Sequence, residues 1–161
     1  MAEQRLSCAF MVMRMFRIET EVDKERALLL RSLLRETNAA ASPELRELRG
    51  TPADQHVPLQ VWVLDEDGAL AAGLDAYTWA YWLHVDLLWV AEQHRGSGLG
   101  SRLLAEAERI AYEDRECGAS RVETWDFQAP GFYRLHGYEV VSVIPDYPPG
   151  LKEFTLTKRL G

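Results

Sequence analysis

Arg95-Gly96-Ser97-Gly98-Leu99-Gly100 stands between an apolar run, Leu87-Leu88-Trp89-Val90, and a segment from Gly98 to Cys117 whose apolar residues recur at helical spacing. Three glycines in five residues let the main chain turn sharply and approach a ligand with no Cβ in the way. The first amides of a helix lack intrahelical acceptors, and the helix dipole puts partial positive charge at the same place. A strand, a glycine-rich turn and a helix N-terminus, in that order, make an anion site suited to phosphate. The alternative is a glycine-rich turn that merely opens a helix.

Two familiar phosphate sites do not fit. A nucleoside-triphosphate loop ends in Gly-Lys-Ser/Thr, whereas this one ends Gly100-Ser101 with no lysine. A dinucleotide fold places GxGxxG after the first strand of a βαβ unit. Here the spacing is GxGxG, and it follows what reads as the fourth strand.

Downstream, Leu99, Leu103, Ala107, Ile110 and Ala111 line one face of the helix, and Gly118 is positioned to close it as a left-handed cap. Arg121 to Thr124 reads as a short strand and Ala129 to His136 as a brief helix closed by Gly137. Tyr138 to Ile144 and Glu153 to Leu160 read as the last strands. Upstream, Met15 to Glu21 alternates weakly and predicts a first strand. Asp23 is placed to cap a helix from Lys24, and a short second helix is expected around Glu44 to Leu48. Leu59 to Leu64, Ala69 to Trp79 and Tyr81 to Val90 read as three antiparallel strands. Asp65-Glu66-Asp67-Gly68 turns between the first two, and Gly73 is a candidate bulge.

The whole chain has 161 residues, 47% apolar and 27% charged, which predicts one globular domain over 1–161 with a loose tail at 1–14. The net charge of −7 argues against nucleic acid and mildly favours cationic substrates. Cys8 and Cys117 fit no CxxC or metal-ligand spacing, so reduced thiols, a cytoplasmic location and no metal are expected. The apolar stretch from Leu6 to Met13 is too short to span a membrane.

Arg95-x-x-Gly98-x-Gly100 resembles the Gln/Arg-x-x-Gly-x-Gly/Ala signature of the GNAT superfamily of acetyltransferases. The likeness extends to Leu87-Leu88-Trp89-Val90 before the loop. It extends also to Phe132-Tyr133-Arg134-Leu135-His136-Gly137-Tyr138, which is similar to the family's Phe/Leu-Tyr-x-x-x-Gly-Phe/Tyr segment. The resemblance implies an α/β (α+β) fold: a mixed, mostly antiparallel central sheet, splayed parallel strands 4 and 5, and helices on both faces. It implies acetyl-CoA as acyl donor, bound by the main chain around Leu88 and Val90 and by Arg95, Gly96, Ser97, Gly98, Leu99 and Gly100. The acceptor would be a small-molecule or protein amine. Relatives often pair, so a homodimer is an open alternative.

The chemistry to be done is plain. A lysine-like amine with a pKa near 10.4 is neutral in only about one molecule in two to three thousand at pH 7, and only the neutral form attacks a thioester. The protein must take up a proton and stabilise the developing oxyanion. By the resemblance, Tyr133 stands where the family often has a proton-donating tyrosine; the alternative is that it only packs. Many relatives carry a glutamate on the fourth strand, and this chain has His84 and Asp86 there instead. They lie two apart, on one face of a regular strand, with Leu83, Val85 and Leu87 opposite. Asp86 is preferred slightly over His84 as base, a structural pair being the alternative. Tyr77 and Trp79 are candidates for the acceptor pocket. A non-catalytic acyl-CoA-binding module on the same fold is the second functional reading.

Overall fold

The structure is a computed structural model that describes residues 16–161. The expected tail at 1–14, Cys8 and Met15 lie outside the described residues. The chain forms two compact units, one ending at Arg46 and the other spanning Glu47–Gly161.

In the first unit helix α1 spans Lys24–Ala41, and a short helix α2, Pro43–Leu48, carries the chain across the boundary at Arg46. Asp23 caps α1 as expected, its carboxylate accepting from the Arg26 amide at 3.0 Å. The strand predicted from Met15 is not formed over residues 16–22, which are exposed and pair with no described strand. Alternation alone does not make a strand. Its amides and carbonyls also need a ladder partner.

The second unit is built on six strands: β1 (Val57–Leu64), β2 (Leu70–Trp79), β3 (Trp82–Val90), β4 (Ala119–Trp125), β5 (Glu139–Pro145) and β6 (Lys152–Arg159). Their order is β1-β2-β3-β4-β6-β5, antiparallel throughout except between β3 and β4. The pair expected as strands 4 and 5 is therefore β3 and β4, because the first expected strand is missing. The architecture is otherwise the predicted one, a mixed and mostly antiparallel sheet with flanking helices. Asp65 holds the β1–β2 turn by accepting from the amides of Asp67 and Ala69, and Gly68 takes the left-handed conformation at φ 79°.

Helix α3 (Leu99–Arg109) lies against the sheet and continues as a wider π turn over Ile110–Asp114. Leu103, Leu104, Ala107 and Ala111 are buried against Leu74, Leu83, Val85 and Val122. Burying a leucine of this kind contributes about 1.5–3 kcal/mol. Tyr133 of α4 (Pro130–Leu135) joins the same core. The helix ends earlier than the spacing predicts, and Gly118 is not its left-handed residue. Glu116 takes that conformation instead, at φ 57°, while Gly118 exchanges backbone hydrogen bonds with Tyr81 and Leu160. Gly137 does close α4, at φ 84°.

The bulge also lies elsewhere than predicted. Ala76 faces Val85 and Asp75 faces Leu87, so Asp86 is the extra residue on β3. One unpaired residue shifts the side-chain parity. Leu83 and Val85 point into the core before it, and Leu88 and Val90 do so after it. Leu87, expected with Leu83 and Val85, is consequently 66% exposed.

Gly73 sits in regular register opposite Trp62, and a Cβ built there would lie 2.6 Å from the indole. Gly73→Ala should therefore lower stability by about 1 kcal/mol or more through overpacking. In a Trp62→Ala background the same change should be neutral or stabilising, since alanine suits a strand better than glycine. A denaturant-melt double-mutant cycle measures that coupling.

Candidate active site

Parallel pairing between β3 and β4 runs from Trp82–Ala119 to Val85–Val122 and stops there. Beyond that point β3 pairs only with β2, and β4 only with β6. The bulge at Asp86 falls where the ladder ends, so the two strands part and leave two free backbone edges. A cavity of 1060 Å³ fills the gap. One wall is Asp86 to Val90; the other includes Glu123, Thr124, Phe127, Gln128, Phe132 and Tyr133.

The glycine loop closes one end. Gly96 and Gly98 have φ of 76° and 85°, a left-handed backbone that costs an L-residue about 1–2 kcal/mol and glycine almost nothing. Gly98 is the N-cap of α3, and its carbonyl accepts the first helical bond from the Arg102 amide at 3.1 Å. The amides of Leu99, Gly100 and Ser101 precede that bond and donate to no described residue. Arg95 Nε donates to the Val90 carbonyl at 3.2 Å, which ties the loop back to the strand. The donor set is thus a row of unpaired amides at the positive end of a helix, with no Cβ on the two residues that turn into it.

Of the residues singled out from the sequence, Leu88, Val90, Arg95, Gly96, Gly98, Leu99, Gly100, Asp86 and Tyr133 all line this cavity. Ser97 does not; its hydroxyl donates to the His94 carbonyl at 2.5 Å. His84 lies outside it too, in an adjoining 330 Å³ pocket with Tyr77, Arg121 and Glu123. Asp86 and Glu123 line both cavities and so mark where the two meet.

Tyr133 is buried, its ring edge-on to Phe132 and Tyr138 at 5.2 and 5.6 Å. Burial pushes its hydroxyl up to about 12, and that hydroxyl has no hydrogen-bond partner among the described residues. It is a protonated donor at any ordinary pH. Asp86 titrates above the usual carboxylate range, first through burial and then through the negative charges of Asp75 and Glu123. His84 moves the other way, down to about 4, because burial and the nearby Arg121 and His56 disfavour its cation. Near neutral pH it is an uncharged ring and a poor proton acceptor.

The wall from β4 was missed in the sequence, although its position had a signal. Glu123 and Thr124 lie at the C-terminal end of a strand in a parallel pair, just where such pairs open to a ligand. Gln128 was missed as well; its side-chain carbonyl accepts from Thr124 Oγ1 and the Trp125 amide, fixing the turn that leads to α4. His94, in the turn before the glycine loop, also lines the cavity. Among the described residues no group of His, Cys, Asp or Glu is arranged to hold a metal, and no helix is long and apolar enough to cross a membrane.

Residues 58–140 match the family model of the acetyltransferase (GNAT) domain. Over 130 residues the chain is 52% identical to a blasticidin-S acetyltransferase of Streptomyces morookaense, covering 79% of this chain and 96% of that one. Among solved structures, an acetyltransferase from Bacillus cereus ATCC 14579 superposes with a TM-score of 0.77 at 30% identity, covering 91% of this chain and 99% of its own. A candidate streptothricin acetyltransferase from Bacillus anthracis str. Ames, in complex with acetyl coenzyme A, shares the fold at a TM-score of 0.58 and 16% identity, over 72% and 68% of the two chains.

The depressed His84 value has a consequence for stability. The native state binds fewer protons there than the unfolded chain, so stability is full above about pH 6.5 and falls as the pH drops towards 4. His84→Gln should remove that part of the acid loss. Melting temperatures of the two proteins across pH 4–7.5 should converge in acid; parallel curves would mean the ring protonates freely in the fold.

Proposed function

The chain belongs to the GNAT family of acetyltransferases, and from that premise we propose that it moves the acetyl group of acetyl-CoA to a primary amine of a small cationic molecule. The non-catalytic module weighed from the sequence gives way, because a relative at 52% identity is itself an acetyltransferase. The whole chain acts as one acetyltransferase domain, in the cytoplasm. Blasticidin S is the first acceptor to try.

The observation that carries this reading is the cavity with unpaired helix amides at one end and Asp86 and Tyr133 on its walls. The residues suit the donor. The amides of Leu99, Gly100 and Ser101 hold its diphosphate, and the free edges of β3 and β4 receive the amides of its pantetheine arm. Gly98 keeps the approach open. At 1060 Å³ the space is at the upper end for small-molecule sites, as a long cofactor requires.

Acetyl-CoA supplies an activated acyl carbon and a sulfur leaving group. Asp86 and Glu123, at the junction of the two cavities, hold the incoming ammonium by charge. The ammonium first gives one proton to solvent, because only the neutral amine attacks; as its nitrogen bonds to the acyl carbon a second proton becomes strongly acidic, and the Asp86 carboxylate accepts it. Asp86's raised affinity for protons improves it for that task. The C–S bond breaks, and Tyr133 donates a hydrogen bond to the departing sulfur. With Tyr133 at about 12 and a thiol near 8.5, the tyrosine supports the thiolate without surrendering its proton for good. The proton removed from nitrogen finally balances the thiol.

Millimolar acetyl-CoA should raise the melting temperature, since it binds only the folded chain. Gly98→Val should abolish the shift by forcing a β-branched residue into φ 85°. Tyr133→Phe should keep the shift and lower kcat by about 10²-fold. An unchanged kcat would remove Tyr133 from the chemistry. Asp86→Asn should lower kcat/KM by about 10²- to 10⁴-fold and erase the acid limb of its pH profile, where activity is lost as Asp86 protonates. Retention of that limb in the variant would point to another base.

A further inference from the structure

Four polar side chains gather on the α3 face of the sheet without lining either cavity: Glu108 of α3, Ser120 of β4, Lys158 of β6, and Tyr138 just before β5. Tyr138 and Ser120 are 2% and 0% exposed, and the tyrosine hydroxyl donates to Ser120 Oγ at 2.7 Å. Ser120 is the register partner of Lys158, whose Nζ donates to Glu108 Oε2 at 2.6 Å. The other oxygen of Glu108 is buried and has no partner among the described residues. Burial, joined by the charge of Glu108, holds the Tyr138 hydroxyl above its ordinary value, so it stays protonated in its bond to Ser120.

Two apolar side chains of the same shape would serve the core equally well, because a protein hydrogen bond replaces bonds to water with little net gain. What the bond adds is direction: it ties the ring of Tyr138 to one point on β4. That ring meets Tyr133 edge-on at 5.6 Å, and the Tyr138 amide donates to the Tyr133 carbonyl at 3.1 Å. Helix α4, which carries Tyr133, has six residues and is too short to hold its shape alone. Gln128 fixes the turn before it, and Tyr138 holds the turn after it. The Tyr133 hydroxyl has no partner among the described residues, so no bond at its tip sets its position.

We infer that Tyr138, anchored through its hydroxyl on Ser120, is a positioning residue that holds Tyr133 within hydrogen-bond reach of the departing sulfur. The inference rests on the leaving-group role given to Tyr133 above and adds the residues on which that role depends. Glu108 and Lys158 close the far side of the anchor, with the Lys158 ammonium over the Tyr138 ring at 5.7 Å from its centre. Precise placement matters here, since a shift of about 1 Å at a reacting centre can cost about 10²-fold in rate.

The test is a double-mutant cycle read in kcat, with acetyl-CoA and blasticidin S as substrates. Tyr138→Phe keeps the ring and removes the anchor. It should lower kcat about tenfold while KM for both substrates is unchanged. Ser120→Ala, which removes the acceptor instead, should give the same loss and serves alone if Tyr138→Phe does not fold. In a Tyr133→Phe background neither change should lower kcat further, because no hydroxyl is left to place. A purely structural role would lower kcat by the same factor in both backgrounds. Combining Ser120→Ala with Tyr138→Phe should regain the melting temperature lost in either single variant and leave kcat low. Normal kcat in both single variants while Tyr133→Phe is slow, or equal losses in the two backgrounds, would overturn the inference and leave the proposed function standing. Normal kcat in Tyr133→Phe, or no turnover by the unaltered enzyme, would overturn both.

Discussion

The end of the β3–β4 ladder at Val85 and Val122 is the constraint from which the site follows. Parallel strands that stay paired leave no room between them. Here the bulge at Asp86 changes the pleat of β3, and β4 keeps company with β6 instead. Two backbone edges are freed that would be costly to bury without partners. They line the gap between the strands, and an extended ligand with its own amides is the natural complement. The same bulge turns Leu88 and Val90 onto the α3 side, so the strand seals the core while presenting its edge to the gap.

Charge is divided between the two ends. A chain of net charge −7 does not attract a diphosphate by its overall field. Binding falls instead to main-chain dipoles at the mouth of α3, which act at short range and need no side-chain cation. At the other end the charges of Asp75 and Glu123 add to burial in raising the proton affinity of Asp86, a local surplus of negative charge. Such a surplus favours an ammonium. Neutral His84 and protonated Tyr133 add no charge to that balance, so the electrostatic contrast along the cavity is carried by backbone at one end and carboxylates at the other.

The sequence made the turn-and-helix half of this legible, because glycine spacing reports directly on backbone conformation. Gly96 and Gly98 do adopt left-handed φ, and Gly137 closes its helix as expected. Asp23 caps α1 for the same local reason. What stayed hidden depends on contacts distant in sequence. The bulge at Asp86 is a register event between β2 and β3, invisible in either strand alone, so Leu87 was assigned to the wrong face and Gly73 to a bulge. Gly73 is small for another reason, the Trp62 indole across the ladder. The strand at Met15–Glu21 was inferred from alternation without knowledge of a partner. His84 and Asp86 were grouped by spacing, and only the three-dimensional pocket boundary separates an uncharged ring from a carboxylate at the junction.

Amide hydrogen exchange, followed residue by residue with and without coenzyme A, tests the central claim most directly. Exchange should slow at Leu99, Gly100 and Ser101 and along β3 from Asp86 to Val90, while the β1–β2 turn at Asp65 to Gly68 stays unchanged. Coenzyme A that binds tightly yet leaves the α3 amides exchanging at their free rate would contradict the account.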